Sequence, residues 1–312
     1  MTSRAPIVVG VDRSDAALNA VRWAAREATL RDRPLHLVAT MPSAETAVGN
    51  AVALEAPEFP DQRYEGRERL ANARAEALNS VPTRLTVVEL LRFGNAAELL
   101  MDESQDAAML VVGSRGLDQF TSGVLGSVSA AVVLHAPCPV AIIRPVPDVD
   151  LLQLDGPVVV GVDGTENSEP AIAEAFEAAS LHGVDLVAVH AWRDSHLTTV
   201  FTSDPDGVAL DWDAIATAEH AVLAERLAGW KEKYPDVAIR RVVVRDRPAR
   251  QLIAESKSAQ LVVVGRRGRG GITSMLLGST SRHLMHTVSC PLLIVHSPTA
   301  TRAGSETHYA SD

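Results

Sequence analysis

The residues best suited to chemistry form a glycine–serine pattern that occurs twice. The first copy reads Gly113-Ser-Arg-Gly116, nine residues, then Gly126-Ser127; the second reads Gly265-Arg-Arg-Gly268, nine residues, then Gly278-Ser279. Because glycine has no Cβ, the backbone N–H groups of such a turn stay open to a ligand. The second glycine precedes a predicted helix (128–135 and 280–285), whose free N–H groups and positive dipole end favour phosphate. The pattern predicts a phosphate-binding loop in each copy.

A glycine-rich turn followed by a serine helix cap is the alternative interpretation of this pattern. Ser127 and Ser279 fall in the N-cap region, where a hydroxyl can bond either to the helix or to a phosphate. For one copy alone the two interpretations are nearly equal. The identical internal spacing of the two copies favours the phosphate loop.

Two aspartates mark the same end of the predicted sheet as these glycines. Asp12 and Asp163 each end the first predicted strand of a copy, and Gly113 and Gly265 each end the fourth. In open parallel sheets, ligands bind beyond the carboxyl ends of the strands, where the strand order reverses. We expect the aspartates to lie at the mouth of a ligand site, although a strand-end turn would also explain them.

The whole chain is a tandem repeat. Ile7-Val-Val-Gly-Val-Asp12 returns as Val158-Val-Val-Gly-Val-Asp163 at an offset of 151, and Cys138-Pro139 returns as Cys290-Pro291 at 152. A period of this size indicates duplication of a domain, since solenoid repeats recur every ~20–50 residues. We therefore predict a first domain over 1–145, a proline- and acid-rich linker over 146–155, a second domain over 156–297 and a disordered tail over 298–312.

Short apolar runs alternate with helix-period segments in each copy. The runs are rich in Val, Ile and Leu, as strands buried on both faces must be. This alternation predicts an α/β fold with a parallel sheet of five strands and four helices per copy. The predicted strands are 7–11, 35–40, 85–91, 109–113 and 140–143 in the first copy, and 158–162, 186–191, 239–244, 261–265 and 292–295 in the second. Long connections follow strand two, at 41–62 and 193–211.

Composition excludes several classes of protein. The formal net charge of −10 opposes binding to nucleic acid and to anionic membranes, so any anion site must be built locally. The two cysteines are far apart and no Cys/His cluster has zinc-ligand spacing. No stretch approaches ~20 apolar residues and the N-terminal apolar run is too short for a signal peptide, so we expect a cytoplasmic protein without a membrane span.

The glycine–serine pattern, together with a strand ending in Val-Gly-Val-Asp, resembles the ATP-binding branch of the universal stress protein family in its tandem-domain form. The resemblance covers about 5–145 and 156–296. It implies two doubly wound, adenine nucleotide alpha-hydrolase-like sheets of strand order 3-2-1-4-5, ATP with Mg²⁺ as ligand, repeats paired through their last strands, and a homodimer. The implied ATP-binding residues of the first copy are Gly10, Asp12, Thr40, Gly113, Arg115, Gly116, Gly126 and Ser127. Those of the second are Gly161, Asp163, Ala191, Gly265, Arg267, Gly268, Gly278 and Ser279. The aspartates would lie near the adenosine, Thr40 and Ala191 near the adenine, and the glycines and serines along the phosphates; Trp192 is close enough to stack on the base.

The two copies depart from the family pattern differently. The family often follows the first-strand aspartate with Gly and Ser/Thr; the second copy keeps Asp163-Gly-Thr165, whereas the first has Asp12-Arg-Ser14. The phosphate loop of the second copy carries Arg266, Arg267 and Arg269, a charge of +3 against 0 in the first. Because charge-assisted phosphate contacts are the stronger ones, this difference predicts tighter ATP binding by the second copy.

Three functions fit these features. The first is an ATP-binding stress-response regulator that couples nucleotide occupancy to protein partners or to growth control. The second is a slow ATPase or nucleotidyl transferase. Fast phosphoryl transfer is disfavoured because neither loop contains Lys and no Gly-x-x-x-x-Gly-Lys-Ser/Thr motif is present. The third is a nucleotide-free interaction module with purely structural glycines. A Rossmann dehydrogenase is disfavoured, since no Gly-x-Gly-x-x-Gly follows the first strand.

Overall fold

The computed structural model describes residues 4–42, 60–114, 125–144, 155–192, 211–268 and 277–296. Several predicted features lie outside these ranges: Arg115, Gly116 and Arg269 of the loops, nearly all of the linker, the tail, and most of the long connection after strand two in each repeat.

All ten strands belong to one sheet, whose order is β3-β2-β1-β4-β5-β10-β9-β6-β7-β8. Within each repeat this is the predicted order 3-2-1-4-5, with every neighbouring pair parallel. The strands of the first repeat are β1 (Ile7–Val11), β2 (Leu35–Met41), β3 (Val87–Phe93), β4 (Met109–Gly113) and β5 (Val140–Ile143). Those of the second are β6 (Val158–Val162), β7 (Leu186–Trp192), β8 (Ile239–Arg245), β9 (Leu261–Gly265) and β10 (Leu292–Val295).

The described helices cover both faces of this sheet. Those of the first repeat are α1 (Asp15–Leu30), α2 (Pro60–Asn79), α3 (Ala96–Glu103) and α4 (Ser127–His135). Those of the second are α5 (Glu169–His182), α6 (Trp212–Arg226), the short α7 (Trp230–Lys233), α8 (Pro248–Ser256) and α9 (Ser279–Thr287). Among the described residues, four α-helices belong to the first repeat and five, including α7, to the second, against a prediction of four in each. None of the helices in the described part of the chain has the length and apolar character that crossing a bilayer requires.

The strand residues alternate between two cores that each run through both repeats. In β1, Ile7, Val9 and Val11 pack in the core beneath α1, α2, α5 and α6, whereas Val8 packs in the core beneath α3, α4, α8 and α9. Alternating side chains of a strand point to opposite faces of the sheet. The unbroken apolar sequence of the central strands follows from this burial on both sides.

The two repeats join through an antiparallel pairing of β5 and β10, in which Leu292 lies opposite Ile142 and Ile294 opposite Val140. This confirms the expectation that the last strands pair. The contact between the two repeats is called the seam below. A buried ionic cluster also crosses this seam, between α1 and α5. Glu27 of α1 contacts His182 of α5 at 2.6 Å and Arg31 at 3.1 Å. The side chains of Glu27, Arg31 and His182 are all largely buried, so this ionic contact between the repeats is shielded from water.

Candidate functional site

The site residues gather where the sheet order reverses. Asp12 follows β1 and Gly113 ends β4, and these two strands are parallel neighbours. Register places Val11 beside Ala39, so Thr40, one residue on, lies alongside Asp12; Val162 beside His190 likewise brings Ala191 alongside Asp163. Thr40 and Ala191 are half-buried. The sheet thus brings the predicted adenine-side and phosphate-side positions to one edge in each repeat.

Each aspartate is fixed by a turn that follows its strand. Asp12 Oδ1 accepts hydrogen bonds from Ser14 N at 2.8 Å and Ser14 Oγ at 2.5 Å, and Ser14 Oγ in turn accepts from Ala17 N, capping α1. Asp163 Oδ1 accepts from Thr165 N and Thr165 Oγ1, both at 2.8 Å. The Arg-Ser departure of the first repeat therefore leaves the aspartate's orientation unchanged, because Ser14 supplies the same two donors as Thr165.

The two carboxylate oxygens of Asp163 differ in their hydrogen bonds. Ser168 Oγ donates to Oδ1 at 2.6 Å, so three donors converge on that oxygen, whereas Oδ2 is buried without a hydrogen-bond partner among the described residues. A Cβ placed on Gly268 would lie 3.4 Å from Oδ2. A buried, unpaired acceptor costs free energy unless something donates to it. This oxygen faces the Gly265–Gly268 turn and could accept a hydrogen bond from a hydroxyl or amino group of a ligand, or bind a cation.

Backbone bonds hold the two halves of each glycine pattern together. Gly126 N donates to Ser114 O at 3.0 Å, and Gly278 N donates to Arg266 O at 2.9 Å. These glycines are the N-cap residues of α4 and α9, and neither helix has a side-chain cap among the described residues. The first N–H groups of a helix have no intrahelical partner. Two helix N-termini therefore present uncapped amides next to the glycine turns.

The predicted position of the helix serines needs a correction. Ser127 and Ser279 are the first helical residues rather than N-caps, and the helices begin one residue earlier than predicted. The glycine takes the extended N-cap conformation, with φ of −62° at Gly126 and −67° at Gly278. Both serines keep their place at the helix start, where a hydroxyl lies beside the uncapped amides.

Sequence reasoning missed a second serine in each helix. Ser129 Oγ donates to Gly113 O at 2.7 Å, and Ser281 Oγ donates to Gly265 O at 2.8 Å. Both bonds tie the helix to the end of the strand that carries the first glycine. The signal was present, because Gly-Ser-x-Ser occurs at 126–129 and again at 278–281.

Other candidate residues have structural explanations. A Cβ on Gly10 would meet Leu100 Cδ1 at 3.0 Å, and one on Gly161 would meet Leu252 Cδ1 at 3.1 Å, so these glycines make room for a helix packed on the sheet. Arg267 belongs to the described part of the second loop, and its carbonyl lies 3.2 Å from where a Cβ of Gly265 would stand.

Trp192, considered as a base-stacking residue, is engaged elsewhere. Its ring stacks on Trp212 at a centroid distance of 6.3 Å, and the guanidinium of Arg245 lies 3.6 Å from the Trp212 centroid. The first repeat has a similar cation–π contact, but there the arginine is on the helix and the aromatic ring on the strand. Arg63 of α2 lies 5.3 Å from the ring of Phe93 at the end of β3. These pairs fasten the start of each long helix to the sheet edge.

Comparisons with known proteins agree with this architecture. The model of the universal stress protein family matches residues 4–144 and again residues 156–296. The chain belongs to the universal stress protein family. This universal stress protein is 45% identical over 292 residues to Rv2623 of Mycobacterium tuberculosis strain H37Rv, covering 92% of this chain and 95% of the relative. It is 40% identical to a universal stress protein of Mycolicibacterium smegmatis, covering 93% of this chain and 96% of that one.

Solved structures show the same fold for this universal stress protein. A universal stress protein from Archaeoglobus fulgidus DSM 4304 superposes with a TM-score of 0.65 at 17% identity, covering 95% of this chain and 99% of that one. At this identity the likeness concerns the fold alone. It supports the doubly wound α/β fold predicted for each repeat.

Proposed function

We propose that each repeat of this universal stress protein binds one molecule of ATP at the edge formed by the ends of β1 and β4, or of β6 and β9. The observation that carries the proposal is the unpartnered Asp163 Oδ2, which lies 3.4 Å from a Cβ position on Gly268. A phosphate cannot donate to this carboxylate, but a ribose hydroxyl can. The nucleoside would therefore lie against the aspartate, with its phosphates extending to the glycine turn and helix start.

The phosphate side of the proposed site is built from main-chain donors. The uncapped N-termini of α4 and α9 carry partial positive charge, and the adjoining glycines leave room for phosphate oxygens. We propose Gly113, Gly116, Gly126 and Ser127 as the phosphate-contacting residues of the first repeat, with Arg115 beside them. In the second repeat we propose Gly265, Arg267, Gly268, Gly278 and Ser279.

Magnesium, in this proposal, is carried by the nucleotide. No group of three or more His, Cys, Asp or Glu side chains suited to a metal occurs among the residues that the structure describes. Mg²⁺ keeps several waters and is commonly bound through substrate phosphates with one or two carboxylates. Phosphate oxygens and water would thus supply most of the Mg²⁺ coordination here.

We propose a regulatory role in the stress response, with nucleotide occupancy controlling protein partners or growth, in a cytoplasmic homodimer. Rapid hydrolysis is not part of the proposal, since no lysine lies in either phosphate loop. We expect a turnover number below about 1 s⁻¹, under the ordinary enzyme range. A steady-state ATPase assay measures this, and a turnover number within that range would refute the regulatory assignment in favour of an enzyme.

The binding proposal is tested most simply on purified protein. The full chain is denatured and the released small molecules are identified by mass spectrometry. We expect adenine nucleotide from the wild type and less from the Asp163→Ala variant, since that change removes the unpartnered acceptor. A wild type that releases none, and that gains no thermal stability in millimolar ATP with Mg²⁺, would contradict the proposal.

A further inference from the structure

Two cationic side chains share a single carboxylate beside Asp12. Arg13, which follows Asp12, places Nη2 2.6 Å from Glu65 Oε2 of α2. Arg69, one helical turn further along α2, places its own Nη2 4.0 Å from the same oxygen. Glu65 thus neutralises one of the two guanidinium groups and leaves the other without a full counterion.

Arg69 is the less satisfied of the pair. Its side chain is 17% exposed, and its Nε is buried with no hydrogen-bond partner among the described residues. Burial lowers the pKa of Arg69, as does the charge of Arg13, and Glu65 and Asp12 offset this only in part. A guanidinium has five donors and remains charged in proteins. A half-buried cation with a spare donor and a cationic neighbour is a binding element for an anion.

We propose that Arg69, together with Arg13, forms an anion subsite beside Asp12 at the mouth of the first nucleotide site and contacts the free end of its phosphate chain. This inference rests on the proposed function and adds a specificity: the first site would distinguish phosphorylated nucleotides from the bare nucleoside through α2. The formal charges of Asp12, Glu65, Arg13 and Arg69 cancel. The two arginines thereby remove the repulsion that Asp12 would otherwise exert on a polyphosphate.

The second repeat supplies its cations differently. The offset of 151 that aligns Asp12 with Asp163 puts Gly164 in place of Arg13. Arg226 of α6 donates from Nε to the backbone carbonyl of Gly164 at 3.1 Å, and the loop after β9 carries Arg266 and Arg267. The first repeat therefore draws positive charge from a helix more than fifty residues away in sequence, where a comparison of loop sequences does not find it.

The experiment measures ligand binding by the full-length chain with the second site weakened by Asp163→Ala. In that background we compare Arg69→Met, Arg69→Lys and a matched control, Arg74→Met. Arg74 lies on the same helix, is half exposed and pairs with Glu89 of β3 at 3.3 Å, away from Asp12. Methionine keeps most of the aliphatic length while removing the charge. Calorimetry gives the Kd for ATP and for adenosine, and thermal unfolding confirms that each variant is folded.

We expect Arg69→Met to weaken ATP binding about tenfold and to change adenosine binding less than about twofold, as for loss of a charge-assisted contact. Arg69→Lys should fall between, since it keeps the charge and loses the planar fork. Arg74→Met should match the parent for both ligands. Unchanged ATP affinity in Arg69→Met, or equal weakening of ATP and adenosine, would overturn the subsite.

A second probe distinguishes failure of the proposed nucleotide binding from failure of the anion subsite. If the parent binds no adenine nucleotide, inorganic tripolyphosphate is titrated while the unfolding temperature is followed. Stabilisation of the parent but not of Arg69→Met would keep the anion subsite and reject the nucleotide. No stabilisation of either protein would overturn both.

Discussion

Arg266 of the second repeat donates a hydrogen bond from Nη1 to the backbone carbonyl of Leu134 in the first repeat, at 3.2 Å. Leu134 lies in the last turn of α4, whose first turn forms part of the first candidate site. Carbonyls at a helix C-terminus lack intrahelical partners and attract cations. One of the three arginines counted in the charge of the second loop is therefore engaged at the contact between the repeats. The difference in loop charge consequently overstates the advantage of the second site.

Replacing Arg266 by Gln should loosen this seam. We expect the free energy of unfolding to fall by about 1 kcal/mol, the usual value for one partly exposed hydrogen bond. Urea denaturation followed by circular dichroism measures it. Arg282→Gln, an exposed position on α9, is the control and should stay within about 0.5 kcal/mol of wild type. Equal effects of the two changes would mean that the Arg266–Leu134 contact contributes nothing.

The Glu27 cluster should contribute more than any surface ion pair. Glu27 is 1% exposed and bonds to both His182 and Arg31, and Arg31 also lies 3.3 Å from Glu174. Removing one charge from a buried group leaves the others uncompensated, so we expect Glu27→Gln to cost about 3 kcal/mol at pH 7. Glu76→Gln, which breaks a half-exposed pair with Arg22, should cost less than about 1 kcal/mol.

The same cluster predicts the acid limb of the stability curve. Burial would raise the pKa of Glu27, but the hydrogen bond and charge of His182, with Arg31, hold it below its usual value. A carboxyl whose folded pKa is lowered stabilises the protein above the unfolded pKa of about 4.3 and loses this contribution as the pH falls through the folded pKa. Urea titrations from pH 7 to pH 3 should show the gap between wild type and Glu27→Gln narrowing below about pH 4. A constant or widening gap would contradict this assignment.

Both cysteines should be inert in the native protein. Burial raises the pKa of Cys138 to about 11 and that of Cys290 to about 12. Because the thiolate is the reactive form, almost none exists at pH 8. We expect no reaction with a disulfide reagent such as DTNB at that pH in the folded state, and two reactive thiols per chain in denaturing urea. A fast-reacting thiol in the native state would show that this core opens.

The two strand-end glycines should differ in their tolerance of alanine. A Cβ on Gly113 would stand 2.9 Å from the carbonyl carbon of Ala16 and 3.0 Å from its Cβ, whereas one on Gly265 comes no closer than 3.2 Å, to Arg267 O. Helix α1 must shift in the first case, so we expect Gly113→Ala to cost about 1–3 kcal/mol. Gly265→Ala should cost less in the same urea assay. The reverse order would indicate that the β4–α1 contact is looser than the structure has it.

The sequence predicted the central strands to the residue and the outer ones less well. β1, β4, β5 and their counterparts are unbroken apolar runs that end at Asp, Gly or a polar residue, so their limits are visible. The strand predicted over 85–91 lies at Val87–Phe93, because β3 is an edge strand whose residues are mostly half-buried. Leu85 is buried in the preceding loop, and the apolar pattern cannot separate it from a strand residue.

The candidate site was predictable only in its main-chain part. Repeated spacing identified the glycines that follow β4 and β9 as candidates, and none of the described ones has a positive φ. The charge of Asp12 acts on Arg69 because α2 packs on α1, and Arg266 donates a hydrogen bond to Leu134 across the contact between the repeats. Contacts of this kind depend on helix rotation and repeat pairing, which local sequence does not specify. The turn after each aspartate depends on local sequence alone. Ser14 in the first repeat and Thr165 in the second donate the same backbone hydrogen bond to the aspartate.

Calorimetric titration of the full-length chain with ATP and Mg²⁺ tests the account most directly. We predict two ATP molecules bound per chain, one of which is lost in Asp163→Ala and both in Asp12→Ala combined with Asp163→Ala. The Arg282→Gln variant should retain two. Absence of binding heat in the wild type over several temperatures, or an unchanged stoichiometry in the double variant, would contradict the claim that these strand ends hold the nucleotide.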